Sequence, residues 1–539
     1  MDLQFDEMTV DTTFAQEYIK KNEALSELYE DYDGLTEKFK PYTFDGKLYH
    51  KNASGALDNI KRPDEYSTKL RDLASHLKQN ATLIAQLEYY TRNIPAEDTN
   101  TQLKLVIQYL KCDHPTDEFN EREHQDFFFE DSLLFLFGSA VGKIMDSSGR
   151  VTLYNGSKET AAILHLFVTL CKEAGFDNVF VEFDPNPAKI QHQTDYRSEV
   201  KGLDSGTVAI VSEDADVDSA VDKFLSVSKK TPWRLRRILV QESVYQQFKD
   251  ALSWKCSLKK HGGGEPLASN VLCSDALTYN GRVFLIDPVG LPKDQQSVTV
   301  EAYRTRKEMI SIVQKDKPRY LSLWANDIAE INEVTHCTIS PVVWVNNLGD
   351  FRGPPQITEA VFSYLFDDDI LIKKCDKVSK LCELSQSWMK LDFESRRDIL
   401  YSALEKYMTS DSNNRQVYTK IKKSLAACTM KSFVDVGKDY VCVGMTKAVG
   451  VKGCSNHTTF FNVETFKSTL YGNAFVIFGL PSTPQSDVKY AELDVLEQAG
   501  VPVIDVGEYV AGDLLISGRI RPDGRLRVVW TNSGTIFAN

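Results

Sequence analysis

Lys229, Lys230, Arg234, Arg236 and Arg237 crowd the stretch KKTPWRLRRILVQESVYQQF, with Trp233 among them, at the mouth of an apolar run of β type. Guanidinium groups grip phosphate in a bidentate fork and an indole can stack, so the cluster could be an anion or nucleotide site. It could also be a solvated loop, with Arg237 as a structural arginine at the start of the strand. That second reading is preferred, because an acidic protein needs such residues for its own ion pairs. HGGGEP, residues 261 to 266, has the glycines of a phosphate cradle or of an esterase oxyanion loop. No G-x-S-x-G accompanies it, and glycines between two strand regions read as a flexible loop. Cys256, in ALSWKCSLKK, has neighbouring lysines that would lower its pKa, while the C-terminal end of a helix would raise it. His124, in NEREHQDFFFED, has no second histidine three or four residues away, so the stretch reads as a solvated acidic turn rather than a ligand cluster.

The elements that would hold these residues alternate between helix and strand, the pattern of an α/β architecture. Leu70, Leu73, Ala74, Leu77, Ile84 and Leu87 recur at helical spacing and predict one amphipathic helix or two. Val151 to Leu153 and Val179 to Val181 read as neighbouring parallel strands of a βαβ unit, joined by a helix around Ala161 to Lys172. GTVAIVSEDADVDSAVDKFL predicts a buried strand, an acidic turn and a helix whose N-terminus favours the carboxylates. SVTVEAYRTRKEMISIV and ISPVVWVNNL supply further strands and another helix. The Gly and Pro cluster NLGDFRGPPQITE, residues 347 to 359, marks a boundary. Beyond it, YGNAFVIFGLPSTPQSDVKYAELDVLEQAGVPVIDV repeats the plan of strand, turn, helix, Ala-Gly and strand, so the chain reads as internally duplicated with a shorter second copy. RIRPDGRLRVVW carries a Pro-Asp-Gly turn between two alternating runs, the marks of a hairpin that could pair with an exposed sheet edge.

At 539 residues the chain is too long for one ordinary core, so two or more domains are expected. The hydrophobic fraction of 42% and charged fraction of 26% are those of a globular protein. A net charge of −13 makes nucleic acid and anionic membrane poor partners. The N-terminal stretch MDLQFDEMTVDTTFAQEYIKK has no basic n-region or apolar h-region, and no run is apolar for long enough to span a bilayer, so a cytoplasmic location is expected. The 10 cysteines include no C-x-x-C pair, which predicts reduced thiols and no metal site.

Asp214-Ala-Asp-Val-Asp-Ser-Ala-Val221 and Arg237-Ile-Leu-Val-Gln-Glu242 are followed in order by Tyr303-Arg-Thr with Glu308, by LSLWANDIAEI, and by Val343-Trp-Val-Asn346. This ordered set, covering residues 60 to 365, resembles the core of an aldehyde dehydrogenase. WMKLDFESRRDIL, AVGVKG, Gly472-Asn473, LPSTP and EQAGVP resemble the opening half of the same fold, and one such domain plus a partial second is similar to aldehyde dehydrogenase family sixteen. The resemblance implies a nucleophilic cysteine on the loop before Arg237, whose thiolate would attack an aldehyde and pass hydride to a nicotinamide. Pro232 occupies that place, on a loop shorter than the family pattern, and the chain has no cysteine between Cys171 and Cys256. The general base corresponds to Gly202, the lysine on the adenosine ribose to Tyr154 in the first copy and Leu480 in the second, and the glutamate on the nicotinamide ribose to Pro292. HQDFFFEDSLLFLF offers no equivalent of the oxyanion asparagine.

The expected fold is α/β and aldehyde dehydrogenase-like, with Rossmann-type doubly wound sheets and a degenerate catalytic subdomain, followed by a second partial Rossmann-like copy. Residues 1–200 would be a degenerate nucleotide-binding-like domain with N-terminal helices, 201–365 a catalytic-like domain and 376–539 the partial second copy. The expected function is that of a pseudoenzyme, an interaction or scaffold protein without cofactor. The alternative is a divergent NAD(P)-dependent aldehyde oxidoreductase with a relocated active site. Expected partners are other proteins, with a homodimer or an intramolecular pseudo-dimer formed by docking of the second copy.

Overall fold

A computed structural model describes residues 11–29, 63–112, 124–128, 132–146, 151–155, 158–183, 206–229, 231–258, 272–290, 297–316, 318–338, 340–362, 384, 387–410, 415–429, 431–448, 451–454, 463–479, 495–508 and 525–532. The chain divides into two compact units, the first formed by Met1–Tyr320 with Pro354–Leu365 and the second by Leu321–Gly353 with Phe366–Asn539. One division falls at Gly353, inside the Gly and Pro cluster that marks a boundary in the sequence. The two strands and the helix of Leu321–Gly353, however, group with the C-terminal residues rather than with the segment that precedes them.

In the first unit, helices α1 (Thr13–Lys21), α2 (Glu23–Leu28), α3 (Pro63–Gln79), α4 (Ala81–Arg92) and α5 (Ala96–Leu110) come first. The leucines at helical spacing are their buried stripe: Leu70, Leu73, Leu77, Ile84 and Leu87 are all buried. Gln86 accepts hydrogen bonds from the free N–H groups of Phe14 and Ala15, closing the N-terminus of α1 against α4. Next come β1 (His124–Phe128), α6 (Leu133–Asp146), β2 (Val151–Asn155), α7 (Lys158–Glu173) and β3 (Val179–Phe183), whose strands form a parallel sheet in the order β1-β2-β3. Val151 pairs with Val179 and Leu153 with Val181, the register that the apolar runs predict. The acidic turn expected around His124 is instead β1, which pairs His124 with Val151 and Phe128 with Asn155. Ladder pairing with β2 overrides the local polarity there.

The same unit continues with β4 (Thr207–Val211), α8 (Val217–Ser226), β5 (Leu235–Gln241), α9 (Glu242–Leu258), β6 (Asp275–Tyr279), β7 (Arg282–Ile286), β8 (Ser297–Tyr303) and α10 (Arg306–Asp316). These strands run in the order β4-β5-β8-β7-β6, all neighbours parallel except the β6–β7 hairpin. Every residue of β4 is buried, as its unbroken apolar run requires. Asp216 caps α8 by accepting from the Ser219 N–H at 3.1 Å. The β6–β7 turn places Asn280 at φ 48° and Gly281 at φ 70°, the paired left-handed residues of a type I′ turn.

The second unit begins with β9 (Tyr320–Trp324), α11 (Ile328–Cys337) and β10 (Val342–Val345) and resumes with α12 (Phe393–Ser410), α13 (Arg415–Ala426), β11 (Lys431–Val436), β12 (Tyr440–Lys447), β13 (Val451–Cys454), α14 (Val463–Leu470), β14 (Ala474–Gly479), β15 (Val503–Glu508) and β16 (Arg525–Asn532). Trp388, Leu404, Tyr407, Tyr418, Ile421, Leu470 and Phe475 form its helical core. A parallel sheet in the order β13-β14-β15 has the same arrangement as β1-β2-β3, and a mixed run in the order β11-β12-β16-β10-β9 accompanies it. β16, expected as one arm of an edge hairpin, is interior to that run: it pairs parallel with β10 and antiparallel with β12. The other arm lies outside the described residues. Trp344 of β10 stacks on Trp530 of β16 with ring centroids 6.2 Å apart. Their indole N–H groups donate to the carbonyls of Asp350 and Arg352 at 2.7 and 2.6 Å. Among the described residues no helix is long and apolar enough to cross a membrane.

Candidate functional site

The loop between α8 and β5 carries both the basic cluster and Pro232. It is a tight, buried turn. The Arg234 N–H donates to the Thr231 carbonyl at 3.0 Å, and the Thr231 hydroxyl donates to the Ser228 carbonyl at 3.3 Å. From the start of β4, Thr207 clamps the turn twice, its N–H to the Arg234 carbonyl at 2.8 Å and its hydroxyl to the Trp233 carbonyl at 2.7 Å. Gly206 makes that approach possible: it sits at φ +63°, and a Cβ there would lie 2.6 Å from the Arg234 carbonyl oxygen. Thr231, Pro232, Trp233 and Arg234 are all buried. The loop hydroxyl at Thr231 is thus spent on the backbone, and the residue beside it has no nucleophilic atom. Asp98, in the first turn of α5, reaches the loop through Ser228; burial raises its pKa, against the lowering effect of that hydrogen bond.

Arg237 and Lys229 bind within the fold. Arg237 bridges two carboxylates, Glu301 of β8 at 2.6 Å and Asp316 of α10 at 2.5 Å, and all three are largely withdrawn from solvent. The loop is buried rather than solvated as the sequence reading preferred, while Arg237 at the start of the strand is held by ion pairs. Lys229 lies 3.5 Å from the Gly281 carbonyl in the β6–β7 turn. Lys230 lies outside the described residues. A further arginine had no signal of its own in the sequence. Arg282, just after the Asn-Gly turn, donates to the carbonyls of Phe224 and Val227 at 3.1 and 2.5 Å and so closes the C-terminal end of α8. Burial pulls its pKa down to about 10. Only the Asn280-Gly281 pair could have announced the hairpin that places it.

Of the remaining predicted positions, Tyr154 lies in β2, paired with Phe127 and Glu182. Gly202, Pro292, Leu480 and the HGGGEP stretch lie outside the described residues. Four of the described thiols are buried. Cys256 is buried on α9, and burial pushes its pKa up to about 11. Burial also raises Cys171, and raises Cys442 together with the nearby charges of Asp435 and Asp350. Among the described residues no group of His, Cys, Asp and Glu could hold a metal ion.

No family model matches the chain, and no curated protein matches it. Among solved structures it is similar to betaine aldehyde dehydrogenase from Staphylococcus aureus in complex with NAD+, at 14% identity, over 54% of this chain and 77% of that one, with a TM-score of 0.44. An apo mutant of the same enzyme matches with the same identity, coverage and TM-score.

Proposed function

We propose that the chain is a catalytically inert protein of aldehyde dehydrogenase type that acts by interaction, as a scaffold, and carries a partial second copy of its own nucleotide-binding half. The observation that carries this reading is the loop at Pro232. The place where the resemblance demands a thiolate holds a buried imino acid, in a turn clamped by Thr207 and closed by Thr231. Gly202, Tyr154, Leu480 and Pro292 stand where a base and the cofactor anchors would be needed, so loss of hydride transfer does not rest on one position. Burial weighs against Cys171, Cys256 or Cys442 as a relocated nucleophile. The like order of β1-β2-β3 and β13-β14-β15 supports the duplication, and the pairing of β16 with β10 supports docking of the second copy within the chain.

Titration of the full chain with NAD and NADP by calorimetry, in buffer holding inorganic phosphate at a fixed saturating level, tests the reading, with no saturable heat expected at millimolar cofactor. Losing a charge-assisted hydrogen bond to the ribose costs about 1.5 to 3 kcal/mol, roughly tenfold to a hundredfold in affinity, before other losses are counted. Pro232→Cys is expected to leave aldehyde oxidation at background. Wild-type turnover in the ordinary range of about 1 to 1000 per second would overturn the proposal.

A further inference from the structure

We propose that Arg396, in the second unit, anchors an anion site that takes a single carboxylate or phosphate group. The inference is independent of whether the chain is catalytic.

Arg396 stands in the first turn of α12, yet it is only 6% exposed. Its Nε is buried with no hydrogen-bond partner. The charges around it are engaged elsewhere or stand off. Arg397 is paired with Glu394. The Asp392 carboxylate accepts from the Ser395 N–H and hydroxyl, both at 2.8 Å, and acts on Arg396 only through its field. Burial lowers the Arg396 pKa, against the raising effect of the Asp392 charge.

Phe393 and Gly472 approach the guanidinium. Its carbon lies 6.0 Å from the centroid of the Phe393 ring. Gly472 sits at φ +109°, and a Cβ there would be 2.6 Å from Arg396 Nη1 and 3.3 Å from Ala448 and Met389. The positive φ itself favours glycine at 472, and its lack of a Cβ leaves the guanidinium in place. Met389, also beside Gly472, is 54% exposed, which places this cluster near solvent. A buried guanidinium whose Nε lacks an acceptor is a standing cost to the fold, and an entering oxyanion would offset it by matching the planar N–H fork. The donor set is cationic and bidentate, which selects a carboxylate or phosphate over a neutral or cationic ligand.

Calorimetry on the full chain, with inorganic phosphate and separately with acetate at constant ionic strength, tests the site. Saturable binding of at least one anion is expected, with a dissociation constant on the order of 1 mM. Response to phosphate alone would assign phosphorylated ligands, and response to acetate alone would assign carboxylates. Arg396→Gln should weaken binding about tenfold to a hundredfold, and Arg396→Lys, which keeps the charge but loses the fork, by less. If Arg396→Gln fails to fold by circular dichroism, the lysine variant decides. Absence of saturable binding by either anion at tens of millimolar would overturn the proposal, and so would a folded variant that binds as tightly as wild type.

Discussion

Arg527 reaches from β16 to the end of α11 and donates to Thr338 twice, to its carbonyl at 3.0 Å and to its hydroxyl at 2.8 Å. The same guanidinium donates to the Thr335 carbonyl. A buried cation at a helix C-terminus satisfies carbonyls that the helix cannot pair itself and complements the negative end of its dipole. Arg527→Met, which preserves the apolar stem, should destabilise the second unit by about 2 to 4 kcal/mol, because the stranded carbonyls stay buried. Urea unfolding followed by tryptophan fluorescence is the check, and an unchanged midpoint would show that the cap carries no weight.

Removing everything after Cys375 deletes the partners of β10. Trp344, fully buried and stacked on Trp530, would be uncovered, and Val342–Val345 would become an edge strand of apolar residues. Arg352 would also lose Asp439, to which it donates at 2.7 Å, and Tyr440, whose ring centroid lies 4.8 Å from its guanidinium carbon. The truncated chain is expected to aggregate or to melt at lower temperature. A soluble monomer with an unchanged melting temperature would show that residues 376–539 contribute nothing to the stability of the preceding part.

Arg237→Met should cost about 1 to 3 kcal/mol, since it leaves Glu301 and Asp316 half-buried without their shared cation. The companion Asp316→Asn should cost less, because Arg237 keeps Glu301. Equal losses in the two variants, measured by chemical denaturation, would mean that the bridge acts only as a pair.

Stability should fall on mild acidification through His165. Its ring nitrogen lies 2.9 Å from the Tyr18 hydroxyl, and burial first, then Lys172, lowers its pKa below the ordinary 6.5. A base whose folded pKa is depressed is neutral in the fold while the unfolded chain already binds a proton. Its contribution is therefore whole above about pH 6.5 and is lost as pH falls towards the folded value. His165→Gln should flatten the decline between about pH 7 and pH 5, and an identical slope in both proteins would rule His165 out.

Local patterns carried the elements whose order depends on neighbours in the chain. The β2–α7–β3 unit, the buried β4 and the Asp216 turn into α8 are all legible because periodicity and capping are short-range effects. β1 was not, since acids around HQDFF advertise solvent and only the partner strand reveals the ladder. The β6–β7 hairpin had its signal in Asn280-Gly281, although the role of Arg282 depends on α8 lying across from it. Arg396 was illegible for a different reason. In the pattern FESRRDIL a charged residue on an amphipathic helix reads as solvated, and only packing against Gly472 and Phe393 shows that it is buried.

The parallel pairing of β10 with β16 also sets a timetable for synthesis. Thr338 leaves the ribosome 189 residues before Arg527, and the β10 strand cannot acquire its neighbour until that later stretch has been made. At about 5 to 20 residues per second the wait is roughly ten to forty seconds, long compared with hairpin closure in microseconds. During that interval the nascent chain exposes an apolar, unpaired strand edge, so the order of translation leaves β10 open to mispairing until β16 arrives.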